Sequence, residues 1–308
     1  MPTIETERLT KHYGPHIGIE DLDLSVQQGE VFGLLGPNGA GKSTTIRLLL
    51  DLIRPTRGGA RIFGLDSRTG SMEIRRRTGY LPGDFATYGG LAVRDVLAYY
   101  ANLRESRPAD PDRLCERFGL DRDRKVGELS RGNRQKLGLV QAYMHSPDLL
   151  VLDEPTTGLD PLLQIEFQEL VAERKREGAT QFISSHVLPE AAAICDRVGI
   201  IRDGNLVAVE AIETLRERSM HRVEITFAHH APAEAFRKLS GVAEAAADGN
   251  KVSLTVTGTM DRVIKAAARY EVVAFDSHPP SVEEMFMTYY NGHEQVQASS
   301  SGVPAATA

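Results

Sequence analysis

The sequence contains no tryptophan, and aromatic residues make up 6% of it. It has two cysteines, Cys115 and Cys195, in 308 residues. So few exclude a disulfide-stapled scaffold, and their wide separation matches no metal-ligand spacing, so both read as buried thiols of a protein in a reducing compartment. A basic surplus is missing as well: 36 Lys and Arg face 42 Asp and Glu, for a formal net charge of -6. The deficit runs through both parts of the chain, 29 basic against 32 acidic over residues 1–218 and 7 against 10 over residues 219–308. No nucleic-acid partner is expected from such a balance. Long apolar runs are also lacking. Before the C-terminal tail, the longest stretch without a charged side chain is the twelve residues 178–189, whereas a membrane-spanning helix needs about 20 apolar residues. The N-terminal MPTIETERLTKHYG lacks the basic-then-apolar order of a signal peptide.

What is present is the composition of an ordinary globular protein, 41% hydrophobic and 25% charged. The length fits two domains, or one large domain with an appendage. Short apolar runs alternate with amphipathic segments as far as residue 218. Residues 31–35, 149–152 and 181–184 are expected to be buried strands, and residues 42–52, 132–145 and 162–176 helices, which predicts an α/β domain with a parallel sheet over residues 1–218. The pair Asp203-Gly204 between two apolar runs marks a tight hairpin. The period changes from residue 223. Strands at 223–227, 242–246, 252–256 and 272–275 and helices at 232–239 and 260–270 give the order β-α-β-β-α-β, the ferredoxin-like arrangement. This second module is expected over residues 219–290, with a last helix at 281–290. The small, polar residues 291–308 are expected to be a disordered tail.

Chemistry concentrates in two segments. GPNGAGKST comprises Gly36, Pro37, Asn38, Gly39, Ala40, Gly41, Lys42, Ser43 and Thr44. It fits the phosphate-loop pattern and lies between an expected strand and an expected helix, the context that pattern requires. Glycines let backbone N–H groups turn inward onto phosphate oxygens, and the helix N-terminus adds its positive end. Lys42 is expected to reach the β- and γ-phosphates and Ser43 to ligate Mg²⁺. The second segment, LLVLDEP at residues 149–155, is a buried strand ending in Asp153 and Glu154. Asp153 is expected to serve the metal and Glu154 to orient or deprotonate the attacking water. Alone, such a segment could be a strand ending in solvated acids; beside a phosphate loop it completes a nucleoside triphosphatase.

With these residues in place, the chain resembles the nucleotide-binding subunit of ATP-binding cassette (ABC) transporters over about residues 3–218. LSRGNRQK, residues 129–136, stands where that family carries its signature; Ser130 and Gly132 match it, while Arg131 and Asn133 depart. A Ser-x-Gly before a helix is also an ordinary N-cap, but its register with the other motifs favours the signature. The resemblance implies a P-loop fold with a mixed or parallel sheet and a helical subdomain. It also implies that the signature contacts the γ-phosphate of ATP bound to a second subunit. By the same resemblance Tyr13 stacks on adenine, Asp160 links the two subunits' sites, and His186, in ISSH, contacts the γ-phosphate. One position departs: where the family places a metal-sensing glutamine, this chain has Gly83, followed by Asp84. Asp84, or a water, is expected to substitute for it at the metal.

The segment after that loop, the substituted signature and the ending PSVEEMFMTYY resemble the ATPases of bacterial type-two ABC exporters, including drug-resistance and sodium-extrusion members. That resemblance implies a peripheral cytoplasmic protein on the inner face of the membrane. It would work as a homodimer or heterodimer with Mg²⁺ and ATP, driving a separate transmembrane permease. Two other classes of protein share parts of this pattern. A soluble ABC ATPase acting on nucleic acid or ribosomes would favour a basic arm or coiled-coil insertion, and neither is present. A P-loop kinase or GTPase would lack the signature and the downstream histidine strand.

Overall fold

The computed structural model describes residues 1–103, 111–214, 220–230, 232–257 and 259–278. Two antiparallel strands, β1 (Pro2–Tyr13) and β2 (His16–Gln27), open the chain. Next come β3 (Val31–Leu35), α1 (Lys42–Leu49), β4 (Arg57–Ile62), β5 (Leu65–Asp66), α2 (Ser71–Arg76) and β6 (Thr78–Leu81). A helical region follows, with α3 (Val93–Leu103), α4 (Pro111–Arg117) and α5 (Arg131–Tyr143), before β7 (Leu149–Asp153), α6 (Pro161–Arg176), β8 (Thr180–Ser185), α7 (Leu188–Ile194), β9 (Arg197–Arg202) and β10 (Asn205–Ala211).

The main sheet has the order β10-β9-β3-β8-β7-β6, and every pair from β9 to β6 is parallel. Its central strands β3, β7 and β8 are buried at every position, as strands covered on both faces must be. Because the strands are parallel, their C-terminal ends all open at one edge, where ligands of such sheets bind. β9 and β10 are joined at Asp203 and Gly204, whose φ values of 48° and 81° are the left-handed pair of the expected tight hairpin.

A second sheet, β2-β1-β4-β5, was not legible in the sequence. Irregularities in the β1–β2 register, with Arg8 at φ 45°, break the alternation that would have marked these strands. Ile4, Ile19, Leu22, Val26 and Ile62 from this sheet bury against Phe32, Val151 and Phe182 from the main sheet and Ile46 and Leu49 from α1. That core fixes the helix following the phosphate loop from two sides. α1 is shorter than the expected 42–52, because the chain turns left-handed at Asp51, φ 53°, and leaves the helix there. In the helical region Arg117, at the end of α4, bridges to one stripe of α6, donating to Glu166 at 3.1 Å and Glu173 at 2.8 Å. That guanidinium holds the Glu173 carboxyl below the usual carboxylate range.

The chain divides into two compact units between Glu210 and Ala211, eight residues before the expected boundary at 218, at the end of β10. The second unit contains β11 (Met220–Phe227), α8 (Ala233–Arg237), β12 (Val242–Asp248), β13 (Lys251–Thr257), α9 (Asp261–Ala267) and β14 (Val272–His278). The strand order β12-β13-β11-β14, antiparallel throughout, is the expected ferredoxin-like arrangement. Val223, Ile225, Phe227, Val252 and Leu254 pack under Phe236 and Val263 of the two helices. Both helices are shorter than expected; after α9 the chain turns so that Tyr270 meets Phe227 edge-on, 5.9 Å between centroids. The expected helix at 281–290 and tail at 291–308 lie outside the described residues.

Among the described residues no helix is long and apolar enough to cross a membrane. Both cysteines are free and buried. Burial pushes the Cys115 thiol up to about 11 and the Cys195 thiol higher still, so neither is a nucleophile at neutral pH.

Candidate functional site: a phosphate loop facing an acidic strand

β3 delivers the chain into the loop Gly36–Gly41 at the open edge of the sheet. The Gly36 N–H donates to the Ser185 carbonyl at 3.3 Å, and the Gly204 N–H donates to the Ala40 carbonyl at 3.0 Å, so the loop is tied to β8 and to the β9–β10 turn. Two glycines are dictated by space. A Cβ on Gly36 would lie 2.3 Å from the Ile201 carbonyl oxygen; Gly41, at φ 113°, would put one 2.6 Å from the Gly18 oxygen. Asn38 and Gly39 are exposed at the tip, while Pro37, Ser43 and Thr44 are half-buried. α1 starts at Lys42 with no acidic residue in its first turn, leaving its positive end uncancelled.

Lys42 is buried, and its ammonium lies across the mouth of the loop, donating to the Gly36 oxygen at 2.7 Å and the Pro37 oxygen at 3.2 Å. Its Nζ is also 3.1 Å from Glu154 Oε1, an ion pair whose angle is outside hydrogen-bond geometry, so that Oε1 is buried without a hydrogen bond. The other carboxylate oxygen of Glu154 is 2.8 Å from His186 Nδ1. Lys42, Glu154 and His186 therefore form one chain of contacts from the end of β7 to the loop and to the end of β8. Glu154 reaches Lys42 because β7 ends at Asp153 and Glu154 turns left-handed, φ 51°. Strand alternation would otherwise send two successive acids to opposite faces.

Asp153 is buried beside the pair, its Oδ1 accepting from Ser184 Oγ at 2.6 Å. Gly83 faces it: a Cβ there would lie 3.2 Å from Asp153 Oδ2. The loop that carries the departure from the family pattern is thus against the carboxylate expected to serve a metal. Asp84, next in the chain, is exposed. Among the described residues no three His, Cys, Asp or Glu gather as a metal site.

The remaining expected residues stand elsewhere. Ser130 caps α5, its Oγ accepting from the Asn133 N–H at 3.2 Å, and Asp160 caps α6, accepting from the Leu163 N–H at 3.0 Å. Gly132 lies against the loop before Asp160, where a Cβ would sit 2.8 Å from the Gly158 oxygen. The starts of α5 and α6 thus meet in a second cluster, and among the described residues no hydrogen bond or ion pair joins its Ser130 or Asp160 to Lys42, Glu154 or His186. Tyr13, at the end of β1, is 45% exposed, with Lys11 Nζ 5.2 Å above its ring.

Three further groups, two of them inside motif strings but unmarked by their own residue type, tie the site together. Ser184, in ISSH, bridges both acids. Gln135, in LSRGNRQK, donates to the Glu154 oxygen at 3.2 Å and the Pro155 oxygen at 3.0 Å. Thr156 donates to Glu190 of α7 at 2.5 Å, tying the segment after the acids to the helix after His186. Serines and glutamines carry no signal in one sequence until partners are known.

Comparison with known proteins shows the family. Residues 19–157 match the family described as "ABC transporter", and residues 211–290 match "ATP-binding protein DrrA1-3-like, C-terminal domain". The chain is 40% identical over 225 residues to the bacitracin transport ATP-binding protein BcrA of Bacillus licheniformis, covering 72% of this chain and 74% of that one. It is 37% identical over 207 residues to the ABC transporter ATP-binding protein NatA of Bacillus subtilis, covering 65% and 84%. A solved structure of an ATP-binding subunit of an ABC transporter superimposes with a TM-score of 0.65 at 32% identity, covering 70% of this chain and 92% of that one. A phosphate loop and acidic strand on this sheet, in a chain so related, make the protein a member of the ABC transporter family: its ATP-binding, ATP-hydrolysing subunit.

Proposed function

We propose that two chains, two copies of this one or one copy and a close relative, sandwich two ATP molecules and drive a separate membrane permease in the direction of export. The observation that carries the catalytic part is the contact chain Lys42–Glu154–His186 at the mouth of the phosphate loop. Incoming phosphate is a better partner for Lys42 than the carboxylate it replaces, since it offers several charged oxygens to the ammonium and to the N–H groups of the loop and the start of α1. Glu154, so displaced, becomes free to hold the attacking water and accept its proton, with His186 beside it on the γ-phosphate side. Tyr13 stacks on the base. Ser130 and Gly132, at the positive start of α5 in one chain, close on the γ-phosphate held by the other, and Asp160 links the two sites. Catalysis of this kind is positioning and charge stabilisation.

A magnesium ion fits the residues present. Asp153 has one oxygen held by Ser184 and the other on the side where Gly83 leaves room. Asp153 and the Ser43 hydroxyl would hold the ion, and since no group of three His, Cys, Asp or Glu gathers among the described residues, nucleotide phosphates and water would complete its shell. The ion supplies charge neutralisation on the transferring phosphate. Asp84 takes over, directly or through a water, the contact that Gly83 has no side chain to make. Asp84→Ala is then expected to weaken the Mg²⁺ dependence of ATP hydrolysis about tenfold, the scale of an outer-shell contact. Unchanged Mg²⁺ titration and transport would remove Asp84 from the site.

Such a chain works on the cytoplasmic face of the membrane, docked on its permease. The cargo is drug-like, lipid or ion, and the likeness to a bacitracin transport protein favours the first. Co-expression with a candidate multi-span permease, sought among the products of neighbouring genes, tests this reading. The two are expected to purify together, and the true cargo to raise phosphate release. Failure to associate, with stimulation by nucleic acid or ribosomes instead, would favour the non-transport rival.

A further inference from the structure

We propose that Ser184 is a positioning residue that sets both acids of the site through a single hydroxyl. The proposal rests on the roles given above to Asp153 and Glu154. Ser184 is fully buried in β8, in register with Asp153 on β7 and with Leu34 on β3. It therefore stands between the strand that ends in the acids and the strand that feeds the phosphate loop.

Its hydroxyl has one proton and two bonds whose directions chemistry decides. The Glu154 N–H, 3.0 Å from Ser184 Oγ, can only donate; the Asp153 carboxylate, 2.6 Å away, can only accept. The proton of Ser184 consequently points at Asp153 Oδ1 and the lone pair at Glu154. Two things follow. Asp153 Oδ1 carries that hydrogen bond, so Oδ2, on the side of Gly83, is the freer oxygen for a metal. The Glu154 peptide, in a backbone region that residues other than glycine rarely adopt, is pinned at its N–H by Ser184 and at its carbonyl by Gln135. That turn is what brings two consecutive acids to one site. The neighbouring Ser185 shows what a serine without this duty does here: its hydroxyl accepts from the Val187 N–H at 3.0 Å, a local turn contact.

An alanine at 184 keeps the strand but leaves a buried N–H and a buried carboxylate oxygen without partners. The test uses the full chain as wild type, Ser184→Ala and Ser184→Thr. Affinity for N-methylanthraniloyl-ATP is measured with and without Mg²⁺, together with steady-state phosphate release and thermal melting. In Ser184→Ala, metal-free affinity is expected to stay within about twofold of wild type. The gain in affinity on adding Mg²⁺ and the turnover number are each expected to fall about tenfold or more, the scale of one charge-assisted hydrogen bond. Ser184→Thr, which restores the hydroxyl, is expected to recover most of both. An unchanged Mg²⁺ gain and turnover in Ser184→Ala would overturn the proposal, as would equal losses with and without metal, which mark a packing defect. Should Asp153→Ala and Glu154→Gln also hydrolyse ATP normally, the fault lies in the assignment of the acids and not in Ser184.

Discussion

Glu154→Gln is expected to bind ATP at least as tightly as the wild type and to hydrolyse it about 10² to 10⁴ times more slowly, the range that a positioned general base contributes. Both effects come from one side chain. In the structure the Glu154 carboxylate neutralises Lys42 across 3.1 Å, so ATP must compete with it for the ammonium. An amide carries no charge, and removing the competitor leaves Lys42 to the phosphates. The same amide cannot accept the proton of an attacking water. Fluorescent-nucleotide titration and phosphate release, measured on the same preparation, separate the two effects. A variant that turns over like the wild type would take Glu154 out of its role. One that no longer binds ATP would mean that Glu154 holds Lys42 in place for the nucleotide.

Gly36→Ala is expected to lower ATP affinity and turnover about 100-fold or more without unfolding the chain. The Cβ it adds would lie 2.3 Å from the Ile201 carbonyl oxygen and 3.1 Å from the Ala40 side chain. The first contact is with the backbone of β9, a buried strand of the main sheet that cannot yield as a flexible side chain would. The loop, exposed at its Asn38–Gly39 tip, must move instead, and displacements of about 1 Å at a reacting centre are enough for losses of that order. Lys42 spans the loop from the Gly36 oxygen, so its ammonium moves with it. Circular dichroism and melting check the fold while nucleotide titration reads the loss. Near-normal affinity would show that the loop accommodates the methyl group and that Gly36 is there for another reason.

Much of this was legible because chemistry and fold write the same residues. The phosphate loop needs glycines where the backbone has no room, and the acids need a buried strand, so both left compact strings between clear apolar runs. The ferredoxin-like order was legible because Val223, Ile225, Phe227, Val252, Leu254 and Val256 alternate without interruption. The β2-β1-β4-β5 sheet was hidden by its bulges, which shift the period just where two-residue alternation would have identified it. Ser184 and Gln135 were hidden for a different reason. Each acts through hydrogen bonds to segments far along the chain, 31 and 19 residues away, and no local pattern records such a pairing. The left-handed turn at Glu154 was equally silent, although it decides that two adjacent acids share one site.

Two chains closing over ATP is the step from which export would follow, and the solution mass of Glu154→Gln tests it most directly. With turnover blocked, the variant is expected to sediment as one chain without nucleotide or with ADP and as two chains with Mg²⁺ and ATP. A variant that binds ATP and keeps the mass of a single chain at micromolar concentration would contradict the two-chain site.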